Sequence, residues 1–204
     1  MVTGSDLTEI SSLKISLNAT FGTKYLGRLY YFLGFEVSYL KDGNSINSKE
    51  IHSRVITRLR FSTKHAIPTA TLLLINCKLA LHDGEPLPDP SMSRMLIGRL
   101  IFFTNVRPDL SYVVKTLSQF MQHPSNIHMM APEHVLRHIK GTSGQCIILR
   151  GSDNITLHTY CDLDWASCPT SKKSVTGYLV LMDQSPISWK SKKQTTISKS
   201  STDT

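Results

Sequence analysis

Two carboxylates, Asp162 and Asp164, follow the run Thr156-Leu-His-Thr-Tyr-Cys161, whose β-branched and aromatic content reads as a strand. Alternation along a strand puts both on one sheet face, together with His158 and Tyr160. Paired acids in such a place supply the hard oxygen ligands that Mg²⁺ takes while it keeps several waters. The plainer alternative is that the two aspartates terminate the strand. Two carboxylates also fall short of the set that holds paired ions ~4 Å apart for phosphodiester hydrolysis.

Other chemistries find less support. There is no G-x-S-x-G elbow and no Gly-rich phosphate loop, and Cys161 and Cys168 have no implied base partner. The four cysteines, Cys77, Cys146, Cys161 and Cys168, lack zinc or disulfide-framework spacing and read as reduced intracellular thiols. No apolar run approaches the ~20 residues of a membrane helix, and the start lacks the basic-then-apolar pattern of a secretory signal.

Charge points to a polyanion. The 204 residues carry a net charge of +8. Residues 1–150 hold 17 Lys and Arg against 10 acids, so +7 of that excess lies there. Lys49, Arg54, Arg58, Arg60 and Lys64 cluster around Glu50 alone. They fit either a nucleic-acid surface or the solvated face of a helix whose buried stripe is Ile51, Val55 and Leu59. Lys190, Lys192, Lys193 and Lys199 around Trp189 leave the same choice, with Trp189 reading as a core residue.

The elements that must position these residues follow from pattern. Asp6 and Glu9 start a helix with an apolar stripe at Leu7, Ile10, Leu13 and Leu17, broken by Gly22 and Gly27. Residues 29–39 read as one strand, and Lys41-Asp-Gly-Asn44 as the turn of a hairpin returning through Asn47. A helix over 49–60 comes next. Residues 63–90 then form a connection, with 70–75 laid onto the core.

Asp89 and Pro90 suit the start of a helix through about Thr104. Pro108 opens another, with Leu110, Val113, Val114, Leu117, Phe120 and Met121 at helical spacing and Pro124 as its stop. A third runs from about His128 to Lys140 before Gly141, giving a small bundle. Short β-rich runs at 147–150, 155–162, 174–181 and 187–190 then read as an antiparallel meander, with a boundary near 142–152.

Four motifs, in order, carry a resemblance. Tyr31-Phe-Leu-Gly-Phe-Glu-Val37, Arg107-Pro-Asp-Leu-Ser-Tyr112 and Leu136-Arg-His-Ile-Lys-Gly-Thr142 look like the reverse transcriptase of Ty1/copia-type retrotransposon polyproteins. Tyr160-Cys-Asp-Leu-Asp-Trp165 through Gly177-Tyr178, with Ile187-Ser-Trp-Lys190 and Ser200-Ser201, resembles their ribonuclease H region.

The resemblance implies an α+β chain in three parts. Residues 1–90 would be the end of a polymerase palm and its connection, 91–142 a thumb-like helical region, and 145–204 an incomplete ribonuclease H-like antiparallel sheet. It also implies family activities of RNA-directed DNA synthesis and RNA cleavage in RNA–DNA hybrids, with Mg²⁺ as cofactor. Asp162 would be the ribonuclease H metal and catalytic carboxylate, and Asp164 a motif residue that is not a ligand.

The polymerase Asp pair and the ribonuclease H glutamate would fall just outside residues 1–204. The expectation is therefore that this chain is catalytically inactive and holds Mg²⁺ poorly. Nucleic acid, gripped through its backbone by Arg54, Arg58, Lys190, Lys192 and Lys193, is the expected partner, in the cytoplasm, the nucleus or an organelle. The alternatives are a non-catalytic, non-specific nucleic-acid-binding module and a non-functional relic. Tyr25, Lys49 and Thr71 stand where the family has Asp, Gln and a nearby Pro, and Pro132 is expected in the first turn of the third helix, where it is tolerated.

Overall fold

The computed structural model describes residues 6–32, 35–41, 43–47, 67, 69, 71–72, 79–151 and 155–197. The basic stretch holding Arg54 and Arg58, with the helix expected over 49–60, lies outside these residues. Two compact units divide the chain, residues 1–30 and residues 31–204.

In the first unit, helix α1 (Leu7–Phe21) begins where expected. The Asp6 carboxylate accepts the Thr8 and Glu9 amides at 2.8 and 3.0 Å, satisfying two donors that lack helical partners. Gly22 ends it in the left-handed conformation (φ 59°), its amide donating to the Asn18 carbonyl. The expected stripe is not a buried one: no residue of α1 is buried, and Leu7 is 76% exposed.

The second unit has its core in helices α2 (Ser91–Phe103), α3 (Ser111–Ser118) and α4 (Asn126–Gly141), with a 3₁₀ turn, Pro108–Leu110, leading into α3. Leu96, Ile97, Leu100 and Phe103 of α2 meet Leu110, Val113, Val114, Leu117 and Phe120, and Val135, Leu136 and Ile139 of α4 complete the cluster. Leu96, Leu100 and Leu110 are wholly buried, and burying each such side chain stabilises the fold by ~1.5–3 kcal/mol. Leu72 packs on this cluster, as the 70–75 segment was expected to.

The helix ends differ from those expected. Pro90 itself caps α2, while Asp89 accepts the Ser91 amide from outside. The third helix starts two residues early because Ser125 and His128 form a reciprocal cap: the Ser125 hydroxyl accepts the His128 amide, and His128 Nδ1 accepts the Ser125 amide at 3.1 Å. Pro132 therefore stands inside α4 rather than in its first turn. Helix α3 stops at Ser118, short of Phe120 and Pro124. From that turn, Phe120 stacks on His128 with ring centroids 4.2 Å apart.

Strands β1 (Tyr31–Phe32), β2 (Phe35–Leu40), β3 (Gly43–Asn47) and β4 (Ile147–Arg150) form one antiparallel sheet in that order. The run expected as a single strand over 29–39 is thus two, pairing Phe32 with Phe35. Strand β4 was expected in the C-terminal meander. It joins β3 instead, with Ile147 opposite Ile46, and Ile147 is buried with Phe35 and Val106. That apolar cluster wins the strand. Gly43 makes the pairing possible: at φ 152°, a Cβ there would collide with the Leu149 carbonyl oxygen.

The remaining strands, β5 (Leu157–Asp164), β6 (Val175–Met182) and β7 (Ser185–Lys193), make a three-stranded antiparallel sheet with β5 on the outside. The chain is therefore α+β, with two antiparallel sheets among the described residues.

Candidate functional site

Asp164 is the last residue of β5, and Asp162 lies two residues inside it. They pair within it, Asp162 opposite Gly177 and Asp164 opposite Val175. Carried across to β7, the register puts Asp162, Gly177 and Ser191 in one row, Asp164, Val175 and Lys193 in the next, and Tyr160, Leu179 and Trp189 in a third. Opposed residues share a face, so these three rows form one face of the sheet.

Helices cover the β7 side of that face. The Trp189 indole N–H donates to the Thr104 carbonyl at 2.6 Å, and the Lys193 ammonium donates to Gln119 Oε1 at 2.7 Å. A cleft of about 280 Å³ lies between, walled by Asp109 and Tyr112 on one side and by Asp162, Asp164 and Ser191 on the other.

The acids in this cleft differ. Asp162 is exposed, and one oxygen accepts the Leu163 amide at 2.9 Å. Asp164 and the Tyr112 phenol line the cleft together. Partial burial first, and then this carboxylate, raise the Tyr112 phenol above its ordinary value. Asp109 is held by Arg107, which is 3% exposed and donates through Nε and Nη2 at 2.9 and 2.7 Å. Burial alone would raise the Asp109 carboxyl, but the bonds to Arg107 and its charge outweigh this and lower it. Arg107 also donates to the Thr142 hydroxyl (2.8 Å) and carbonyl (3.3 Å), tying the start of α3 to the end of α4.

The donor set does not complete a metal centre. Among the described residues no three His, Cys, Asp or Glu side chains converge as ligands, so Asp109, Asp162 and Asp164 line one cleft without forming a cage. Asp162 and Asp164 alone would leave most positions around Mg²⁺ to water or phosphate.

The basic residues expected to act together are separated. Lys190 and Lys192, opposite Tyr178 and Thr176, belong to the far face of the sheet and are exposed. Lys193 is on the Asp162 face and is engaged, its Nζ 3.0 Å from Cys168 Sγ as well as bonded to Gln119. Burial pushes the Cys168 thiol up, but hydrogen bonds from Ser171 and Lys193 outweigh it and bring the thiol down to about 7. So Cys168 has a cationic partner that its sequence neighbours do not announce. Arg107, Asp109 and Tyr112 were missed as cleft residues as well. Their one signal was the motif Arg107-Pro-Asp-Leu-Ser-Tyr112. Trp189 is the core-packed residue expected, resting against the Phe35–Val106–Ile147 cluster.

Comparison with known proteins gives the lineage. Over 203 residues, and the whole of this chain, it is 36% identical to a retrovirus-related Pol polyprotein from transposon RE2 of Arabidopsis thaliana, and 35% identical to that from transposon RE1. An uncharacterised mitochondrial protein of Arabidopsis thaliana is 30% identical over 204 residues, which cover 84% of its length. The chain belongs to the copia-type retrotransposon Pol polyproteins. It spans 14% of the length of the two transposon polyproteins. No family model matches it, and no solved structure does. Within a copia-type polyprotein, the motif carrying Asp162 thus lies on a paired, exposed strand that faces α3 across the acidic cleft.

Proposed function

We propose that this segment of a copia-type polyprotein joins the end of the reverse-transcriptase palm (1–90) and a thumb-like helical region (91–142) to the start of a ribonuclease H-like sheet (145–204). In this reading it binds nucleic acid non-specifically without cleaving it. The observation that carries it is Asp162, exposed on a meander strand and beside Asp164, with no third ligand among the described residues. In a ribonuclease H site Asp162 would be a metal-holding carboxylate, and Mg²⁺ there would polarise the scissile phosphate. This chain's own part is narrower: Asp162 presents a free carboxylate oxygen, Asp164 stands beside the Tyr112 phenol, and Arg107 keeps Asp109 ionised and turned to its own guanidinium. Two carboxylates leave a paired-ion mechanism without its ligands.

Binding rests on the net +8 charge, with Arg54, Arg58, Lys190 and Lys192 as backbone contacts and Lys193 removed from that set by its bonds to Gln119 and Cys168. The test uses the full chain with Mg²⁺ and a labelled RNA–DNA hybrid. The expected result is binding that weakens steeply with salt, and no cleavage. Cleavage that disappears in Asp162→Asn would overturn the inactive reading, and absence of hybrid binding at low salt would overturn the binding one.

A further inference from the structure

Beside the acidic cleft lies a second and larger one, about 520 Å³, between the end of α2, one face of α3 and β7. The two share Ser111, Trp189, Lys190 and Ser191 in their walls and so run on as one groove. At the end near Asp162 the groove is acidic. At the other end its polar groups include Asn105, Ser118, Lys115 and Lys190.

Two features of this groove ask for an anion. Ser191 is 9% exposed, and its hydroxyl has no hydrogen-bond partner among the described residues, though it lies where both clefts meet. A buried hydroxyl of this kind is costly unless something completes it. Lys115 projects from α3 exposed, and no described residue pairs with its ammonium. The register puts Lys192 on the other side of the sheet; Lys190 shares that register yet borders both clefts, a second cation at the groove wall.

We infer that this groove seats a single nucleic-acid strand, one phosphodiester between the Lys115 ammonium and the Ser191 hydroxyl, the strand running along α3 toward Asp162. The inference rests on the nucleic-acid-binding reading above and adds the path. A lone phosphate would leave most of the groove empty, whereas a sugar–phosphate chain occupies its length. The three acids at the far end repel phosphate, so the anion seats at the Lys115 end. Ammonium groups spaced along the groove, Lys115 and Lys190, and flanked by hydroxyls suit the spread charge of a diester chain, and the Trp189 indole supplies an aromatic wall beside the sugars and bases.

The experiment is fluorescence anisotropy of the full chain with a labelled twelve-nucleotide single-stranded RNA and, separately, with an RNA–DNA hybrid, each over a salt series. Lys115→Glu is expected to weaken single-strand binding at least fivefold, while Lys172→Glu, the same charge change at an exposed site elsewhere, costs less than twofold. Lys115→Ala should flatten the slope of log K against log salt by about 0.7, one single-strand phosphate contact. Lys115→Arg should keep the affinity. Ser191→Ala should weaken binding about threefold with the slope unchanged, and it reports on the groove even if the Glu variant melts early by circular dichroism. Equal losses for Lys115→Glu and Lys172→Glu, with Ser191→Ala unaffected, would overturn the groove and leave the binding reading standing. A wild-type chain that binds neither probe at low salt would overturn both.

Discussion

Arg107→Ala tests how the acidic cleft is held together. Arg107 is 3% exposed and makes five contacts: two to the Asp109 carboxylate, two to Thr142 and a longer one to His138 Nε2 at 3.5 Å. Hydrogen bonds to charged groups contribute roughly 1.5–3 kcal/mol each in isolation, but several made by one guanidinium are not additive. Removing one member of a buried ion pair costs about 3–5 kcal/mol, because the partner is left charged and dry. Here Asp109 retains 35% of its side-chain exposure and rehydrates in part. The expected loss is therefore at the lower end, about 3 kcal/mol.

With a urea m-value of about 2 kcal/mol/M, the midpoint should fall by about 1.5 M, read by tryptophan fluorescence. Arg107→Lys should recover little of this, since an ammonium cannot reproduce the two-pronged contact. Acid provides an independent check. The Asp109 carboxyl is lowered in the folded state, so its contribution is present above the ordinary carboxylate range and is lost as pH falls through the folded value. Wild type should lose stability there, and Arg107→Ala should lose less. A midpoint within 0.3 M of wild type, with unchanged acid sensitivity, would refute the argument.

Cys168 should react with iodoacetamide at a rate that rises through about pH 7, and Lys193→Met should move that rise to higher pH. Mass spectrometry of the labelled peptide reads both. Ser125→Ala removes the cap of α4 and should cost about 1 kcal/mol in urea denaturation, without altering nucleic-acid affinity.

Local chemistry was legible in the sequence and long-range choice was not. Asp6 and Gly22 bound α1 because caps act over three or four residues. The apolar spacing from Leu110 to Leu117 gave α3 its buried face for the same reason. Its stop was hidden, because Phe120 leaves the helix to stack on His128, a partner set by the fold. Residues 147–150 announce a strand, but only the cluster of Ile147 with Phe35 and Val106 decides that β4 joins β3. In the site, the shared face of Asp162 and Asp164 followed from period two. The same rule separates Lys190 and Lys192 from Lys193, and composition alone merges them into one basic patch. The bonds from Arg107 to Asp109 and from Lys193 to Cys168 depend on how segments fold back, beyond the reach of local pattern.

Strand β5 has a practical consequence for handling the molecule. Among the described residues only β6 pairs with it, and seven of its eight residues are exposed. Its outer rim is a ready ladder of amides and carbonyls for any extended peptide. In concentrated solution the nearest such peptide is the same strand of another copy, so adhesion would grow with concentration. Binding assays are therefore best run dilute, where one molecule meets the probe before it meets its twin.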